Sequence, residues 1–197
     1  MMFSTKKTNS YHYPGVTNNL YISPATFEAL AAHPNIVGAK LSHGLIDDQT
    51  LIAASPRIDH AHFSVFTGLG QNLLPVLTIG GVAAIDALAG VFPRVLVRLY
   101  RLFQESTAKG TTTAQEDLQR MREIQYRICE GEKIVARWGV VGIKEALARV
   151  WSFGDGKGGR LPLAGGFEDG DREWEGNWKR TFEGLKELEQ QFEREEK

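Results

Sequence analysis

Gly38-Ala39-Lys40 and Gly142-Ile143-Lys144 each set a lysine two residues after a glycine, at the end of an apolar approach. A lysine amine held neutral, by burial or by a neighbouring cation, can attack a ketone carbon and form an imine. Lys40 closes the apolar run 36–40. Strand alternation there sets Ile36, Gly38 and Lys40 on one face, with Gly38 leaving room below the lysine stem, and turns Val37 and Ala39 to the other. On position alone, the commoner fate of such a lysine is an ammonium extended into water. Lys144 falls inside a helical pattern and reads as a surface lysine. Imine chemistry also needs protons moved on and off the substrate, and a phenol beside the imine suits that task. Tyr11 and Tyr13 share one face of a short aromatic segment.

Other polar groups give weaker signals. His60 and His62 would share a strand face with Asp59 adjacent, but no further carboxylate or cysteine completes a ligand set, so no metal is expected. His43, three residues past Lys40, lies on the following loop, where solvent exposure is expected and contact with a substrate is the alternative. Gly80-Gly81 could cradle a phosphate, yet no lysine or arginine stands beside them. Cys129, the single cysteine, cannot make an internal disulfide and sits in a helical pattern, which gives it a packing role.

These residues must be positioned by regular elements. Short apolar or aromatic segments at 11–13, 36–40, 62–66 and 82–86 recur at the spacing of βα units. Between them, Ser23 followed by Pro24 opens a helix running to about His33, before Pro34. Asp47 caps a helix through Ala54, stopped by Ser55 and Pro56, and 70–79 supplies a third. The stretch 3–10 is too polar for a proper first strand. Four such units form a parallel sheet covered on its outer face and curl into half a barrel, since a closed (β/α)8 barrel takes roughly 250 residues. Everything after Asp86 reads as helix. The segment 93–107 is amphipathic, Thr113 and Glu116 form a capping box before the stripe Leu118, Met121, Ile124 and Ile128, and 140–151 is a further helix. A glycine-rich loop at 154–170 leads to a charged helix, 171–197. Its stripe of Trp174, Trp178, Phe182, Leu185, Leu188 and Phe192 is expected to dock on the same chain's barrel, with a partner subunit as the alternative. The division expected is 1–107, half barrel, and 108–197, helical region.

With 42% hydrophobic and 24% charged residues, and 23 basic against 24 acidic side chains, the composition is globular and nearly neutral. No net basic field attracts nucleic acid or a membrane surface, so neither is expected as a partner and a small molecule fits better. No apolar run is long enough to span a bilayer and no signal segment opens the chain, so a cytoplasmic location is expected. The acid-free stretch 1–27 carries only Lys6 and Lys7 and lacks the arginines and amphipathic pattern of a transit peptide.

Several segments together resemble one family. Tyr11-His12-Tyr13-Pro14-Gly15-Val16-Thr17 is similar to the Tyr-Asn-x-Pro segment at barrel strand five of the dihydrodipicolinate synthase and N-acetylneuraminate lyase family, the pyruvate-dependent class I aldolases. His33-Pro34-Asn35-Ile36-Val37-Gly38-Ala39-Lys40 resembles its strand six, and Phe63-Ser64-Val65-Phe66-Thr67-Gly68 its strand seven. Gly80-Gly81-Val82-Ala83-Ala84-Ile85 resembles its strand eight with the twin glycines. Ala89-Gly90-Val91-Phe92-Pro93 stands like Ala-Asn-x-x-Pro, with glycine for the asparagine. Gly142-Ile143-Lys144-Glu145-Ala146-Leu147 and Gly159-Arg160-Leu161-Pro162-Leu163 are similar to the C-terminal helical region.

The resemblance implies an α/β fold of the (β/α)8 TIM-barrel family, here strands five to eight followed by a C-terminal helical region. It implies a carbon-carbon lyase with no cofactor, acting on a small 2-oxo acid. Lys40 would form the Schiff base, Tyr11, three residues before Pro14, would carry protons, and Gly68 and Ile85 would line the substrate pocket. Dihydrodipicolinate synthases place an arginine two residues after the proline to bind a carboxylate. Val16 stands there instead, which turns the expected substrate toward a 2-oxo-3-deoxy sugar acid or 4-hydroxy-2-oxoglutarate, cleaved to pyruvate and an aldehyde. The family's first four strands, with their carboxylate-binding Gly-Thr-Thr loop, are not among these residues, and Gly110-Thr111-Thr112 reads as a helix-capping linker. A homo-oligomer is expected, and the alternative to an aldolase is a truncated, non-catalytic member or interaction subunit.

Overall fold

Each of the four segments read as strands carries one in the computed structural model, which describes residues 6–108, 115–156, 159–160, 165–167 and 169–197. β1 (Thr8–His12), β2 (Ile36–Leu41), β3 (Ser64–Thr67) and β4 (Ala83–Ala84) pair in sequence order, and every pairing is parallel. Parallel neighbours require crossovers. These contain α1 (Pro24–Ala31), α2 (Ile46–Ala53) and α3 (Leu73–Thr78). The chain divides into two compact units, 1–86 and 87–197.

Local chemistry explains most boundaries in the first unit. Ser23 accepts from the Thr26 amide at 3.4 Å and Pro24 occupies the first turn of α1, which ends at Ala31, short of His33. α2 starts one residue before Asp47, with Leu45 at its N-cap, so Asp47 is not the cap. Asp47 and Asp48 instead lie in the first turn, where carboxylates meet the positive end of the helix dipole. Thr8, Asn9 and Ser10 belong to β1 although their side chains are polar. β1 lies at one edge of the sheet as described, pairing only with β2, so backbone bonds hold it while Thr8 and Asn9 stay exposed to water.

Alternation along the strands builds the core of this unit. Ala39, Leu41 and Val65 are buried against Phe27, Ala31, Ile52, Ala53 and Phe63, the helix-side layer. Each large side chain removed from water this way contributes about 1.5–3 kcal/mol. The opposite face of β2 carries Gly38 and Lys40.

The second unit is helical: α4 (Pro93–Ala108), α5 (Gln115–Trp151), α6 (Gly170–Glu173), a π turn at Trp174–Trp178 and α7 (Lys179–Glu195). The two helices expected within 115–151 join without a loop. Gly139, with φ 54° and ψ −133°, breaks the helical geometry one residue before Val140, a conformation that glycine tolerates. Of the stripe expected to dock on the barrel, Trp174, Trp178, Phe182, Leu185 and Phe192 are buried, and within this unit α7 packs on both α4 and α5. α4 is strongly amphipathic and offers α7 a matching apolar face, with Val95, Leu96, Leu99 and Leu102 buried. Glu189 of α7 accepts from the Arg94 and Val95 amides, both at 3.0 Å, and so satisfies open donors at the start of α4. Glu173 accepts from the indole N–H groups of Trp138 at 3.1 Å and Trp178 at 2.9 Å. Thr113 of the expected capping box lies outside the described residues, as do Gly110-Thr111-Thr112 and Leu161-Pro162-Leu163. Among the described residues no helix is long and apolar enough to cross a membrane.

Candidate active site

β2 delivers Lys40 near its C-terminal end, with Tyr11 of β1 and Phe66 of β3 as its register partners. The Lys40 Nζ stands 4.2 Å from the centroid of the Tyr11 ring. Tyr13 stacks on Tyr11 with centroids 5.8 Å apart and planes at 29°, so it supports the ring that faces the lysine. Tyr11 is 49% exposed.

Gly68 completes the near side of the cluster. Its amide donates to Leu41 O at 2.7 Å, just past the end of β3. A Cβ there would lie 2.9 Å from Lys40 Cε and would overlap Ser42 Oγ outright, so only glycine fits the present arrangement. Ile85 bonds to β3 through its amide, 2.8 Å from Thr67 O, and is 47% exposed. β3 stands between it and Lys40's strand. The structure thus brings Lys40, Tyr11 and Gly68 together and sets Ile85 further along the same row of strand ends. Gly38 does not leave space under the lysine stem: a Cβ there would meet Ser64 O at 2.6 Å and Asn9 Oδ1 at 2.8 Å, so the neighbouring strands use that room.

The loop after β1 turns through a 3-10 segment at Pro14–Val16 and two residues with positive φ, Asn18 and Asn19, a conformation asparagine tolerates. Val16 is exposed. Further on, the Tyr21 hydroxyl donates to Asp48 Oδ2 at 2.8 Å, tying the loop to α2, and that bond to a carboxylate raises the Tyr21 pKa.

Two residues escaped the sequence reading. Ser42 is almost buried, and its hydroxyl donates to the Tyr11 phenol oxygen at 3.4 Å. Extending the alternation of Gly38 and Lys40 by two positions would have found it. His12 is fully buried, packed against Phe27 at 5.9 Å and His43 at 4.9 Å between ring centroids. Its Nε2 lies 3.3 Å from the Ile22 amide and 3.2 Å from Leu20 O, which one tautomer cannot serve together. His43 is half-buried rather than solvated. Its Nδ1 accepts from the Leu45 amide at 3.1 Å, and burial, with the nearby His12, lowers its pKa.

The remaining expectations fall elsewhere. His60 Nε2 lies 3.2 Å from Ser55 O and His62 Nε2 3.4 Å from His33 O, and among the described residues no group of three or more His, Cys, Asp or Glu could hold a metal. The Gly80 and Gly81 amides donate to Leu77 O and Val76 O, so they are not turned to an anion. A Cβ on Gly81 would collide with Val76. Lys144 is exposed on α5, and Cys129 Sγ accepts from Gln125 Nε2 at 3.5 Å.

With this geometry in place, comparison with known proteins identifies the lineage. The model of the dihydrodipicolinate synthetase family matches residues 7–151. A curated 4-hydroxy-tetrahydrodipicolinate synthase of Methanospirillum hungatei is 33% identical over 59% of this chain and 36% of its own length. A protein of Emericella nidulans, named provisionally as a mitochondrial 4-hydroxy-2-oxoglutarate aldolase, is 28% identical over 73% of this chain and 42% of its own. An L-threo-3-deoxy-hexylosonate aldolase of Hypocrea jecorina is 26% identical over 73% and 44%. A solved structure from Thermus thermophilus, described provisionally as a dihydrodipicolinate synthase, superimposes with a TM-score of 0.74 at 27% identity, over 93% of this chain and 57% of that one. The chain therefore spans less than half the length of these curated relatives. On the family match across most of its residues, this chain belongs to the dihydrodipicolinate synthetase family.

Proposed function

We propose that the protein is a carbon-carbon lyase that binds a 2-oxo acid as a Schiff base on Lys40, and that β1 to β4 correspond to strands five to eight of the family's barrel. The observation that carries this reading is the placement of Lys40 Nζ 4.2 Å from the Tyr11 ring, on adjacent parallel strands near their C-terminal ends. In barrels of this class catalytic groups come from those ends. The names of the relatives support a lyase over a non-catalytic subunit.

In the forward direction the Lys40 nitrogen attacks the 2-oxo carbon and the carbinolamine loses water, giving an iminium. Removal of the C4 hydroxyl proton then breaks the C3–C4 bond, and its electron pair flows into the iminium to give an enamine. An aldehyde leaves, the enamine is protonated at C3, and hydrolysis frees pyruvate. Tyr11 is the group within reach to move these protons, and Gly68 leaves space for the lysine stem. Val16 offers no carboxylate contact at the loop position where dihydrodipicolinate synthases use arginine. The substrate is therefore a 2-oxo-3-deoxy sugar acid or 4-hydroxy-2-oxoglutarate, the classes to which two relatives' names point.

Cyanoborohydride with pyruvate tests the central step, because reduction turns the imine into a stable secondary amine. Peptide mass spectrometry should find the adduct at Lys40, and Lys40→Ala should abolish it while leaving the fold intact. An adduct at Lys144, or turnover of a 2-oxo acid with no trapped lysine, would refute the assignment.

A further inference from the structure

Ser42 continues the series Ile36, Gly38 and Lys40 along one face of the β2 path. Its amide donates to His12 O at 2.8 Å, so β1 and β2 remain joined at this level and the side chain is fixed from below. The residue is 8% exposed. Its hydroxyl donates to the Tyr11 phenol oxygen at 3.4 Å, while the ring of that tyrosine stands 4.2 Å from Lys40 Nζ. A Cβ on Gly68 would overlap Ser42 Oγ, so the hydroxyl occupies space that any side chain at position 68 would claim. The distance exceeds a settled O–H···O bond, but catalytic hydrogen bonds commonly tighten only in the reacting complex.

We propose that Ser42 is a positioning residue that orients and supports the phenol of Tyr11, an inference that rests on the imine reading above. A phenol oxygen both accepts and donates a hydrogen bond. With Ser42 on the accepting side, the phenolic proton is left to point at the group being formed on Lys40. When the carbinolamine collapses, its C–O bond breaks, the hydroxyl takes the Tyr11 proton and leaves as water, and the nitrogen lone pair becomes the second bond of C=N. An iminium cation and a phenolate result, and charge balances. The Ser42 O–H is the donor that stabilises that phenolate, and it gives the oxygen back its proton-accepting orientation for the reverse transfer.

The test is the rate of pyruvate-dependent labelling of Lys40 in the purified protein, with cyanoborohydride in excess so that imine formation limits it. Ser42→Ala should slow labelling about tenfold, the scale of one lost hydrogen bond to a developing charge, and Ser42→Thr should restore most of the rate. In a Tyr11→Phe background Ser42→Ala should change nothing further, because the group it serves is gone. Matching thermal melts for the alanine variant separate this effect from a damaged fold. The proposal fails if Ser42→Ala labels at the unaltered rate, or if its loss persists at full size without the Tyr11 hydroxyl. Absence of any label in the unaltered protein would instead overturn the imine reading itself.

Discussion

Gly68→Ala puts the geometry of the site under the most direct strain. The added methyl would lie 2.9 Å from Lys40 Cε and 2.9 Å from Ser42 Cβ, and would overlap Ser42 Oγ. Carbon atoms settle at about 3.5–4.0 Å, so the lysine stem must retreat by roughly 0.6–1 Å. Ser42 cannot retreat as freely, because its amide is held by His12 O. Its hydroxyl must swing to another rotamer and leave Tyr11. Overpacking of this kind costs about 1–3 kcal/mol, and the flexible lysine stem places it at the low end. The melting temperature should then fall by about 2–4 °C for each kcal/mol. Function should suffer more, since a misplacement of about 1 Å at a reacting group can cost on the order of 10²-fold. Calorimetry and the labelling rate at Lys40, measured on the same preparation, read the two effects separately. A variant that labels at the unaltered rate would show that Gly68 does not define the lysine's position. One that melts many degrees lower would show that the glycine serves packing instead.

Two further perturbations bear on other parts of the site. Tyr11→Phe keeps the ring beside Lys40 but removes the oxygen proposed to carry protons, so turnover of a 2-oxo acid should fall by about 10²- to 10⁴-fold, the usual range for an acid-base group. Tyr13→Phe should do much less, and equal losses at both positions in steady-state assays would mean the proton carrier is misassigned. His43 has its pKa lowered from 6.5 by burial and by the charge of His12, against the pull of Asp48 and Asp47. The unfolded chain therefore takes up this proton first, and stability should fall as pH drops from about 6.5 toward 5, by less than about 1.4 kcal/mol per pH unit, the limit for one proton. The carboxylates whose pKa values are lowered, Glu28, Glu173 and Glu193, act only below their ordinary value of 4.5, outside that window. Denaturant melts at pH 7 and pH 5 should show a smaller difference in His43→Asn, and identical differences would dismiss the effect.

What the sequence made legible follows from which forces are local. The run 36–40 and the pair Ser23-Pro24 carry their own structural instructions, in apolar alternation and in a cap, and both form as read. Thr8, Asn9 and Ser10 mislead because an edge strand is held through its backbone, which side-chain polarity does not report. Gly139 is also opaque: only a positive φ, set by the meeting of two helices, reveals why glycine stands there. The role of Gly38 is misplaced for a similar reason. Its need arises from Ser64 O and Asn9 Oδ1, atoms 26 and 29 residues away in the chain. Alternation past Lys40 points to the face of Ser42 but not to its partner, and His12 gives no signal by type or spacing, since their contacts with Tyr11 and His43 exist only once β1 and β2 lie in register.

That register also explains why the candidate residues form a row. In a parallel sheet whose strands follow sequence order, the C-terminal ends all point one way, so Tyr11, Lys40, Gly68 and Ile85 arrive side by side, one from each unit. Neighbouring strands stand about 4.8 Å apart. Tyr11 and Gly68 are therefore each one strand from Lys40, within direct reach of its side chain, and the 4.2 Å and 2.9 Å separations agree with this. Ile85 is two strands away, at roughly twice the spacing. On the imine mechanism proposed above, that separation would leave Ile85 to meet the far end of a 2-oxo acid held on Lys40. The same spacing would then divide the proposed work, with proton transfer and lysine packing on the adjacent strands and substrate fit on the last.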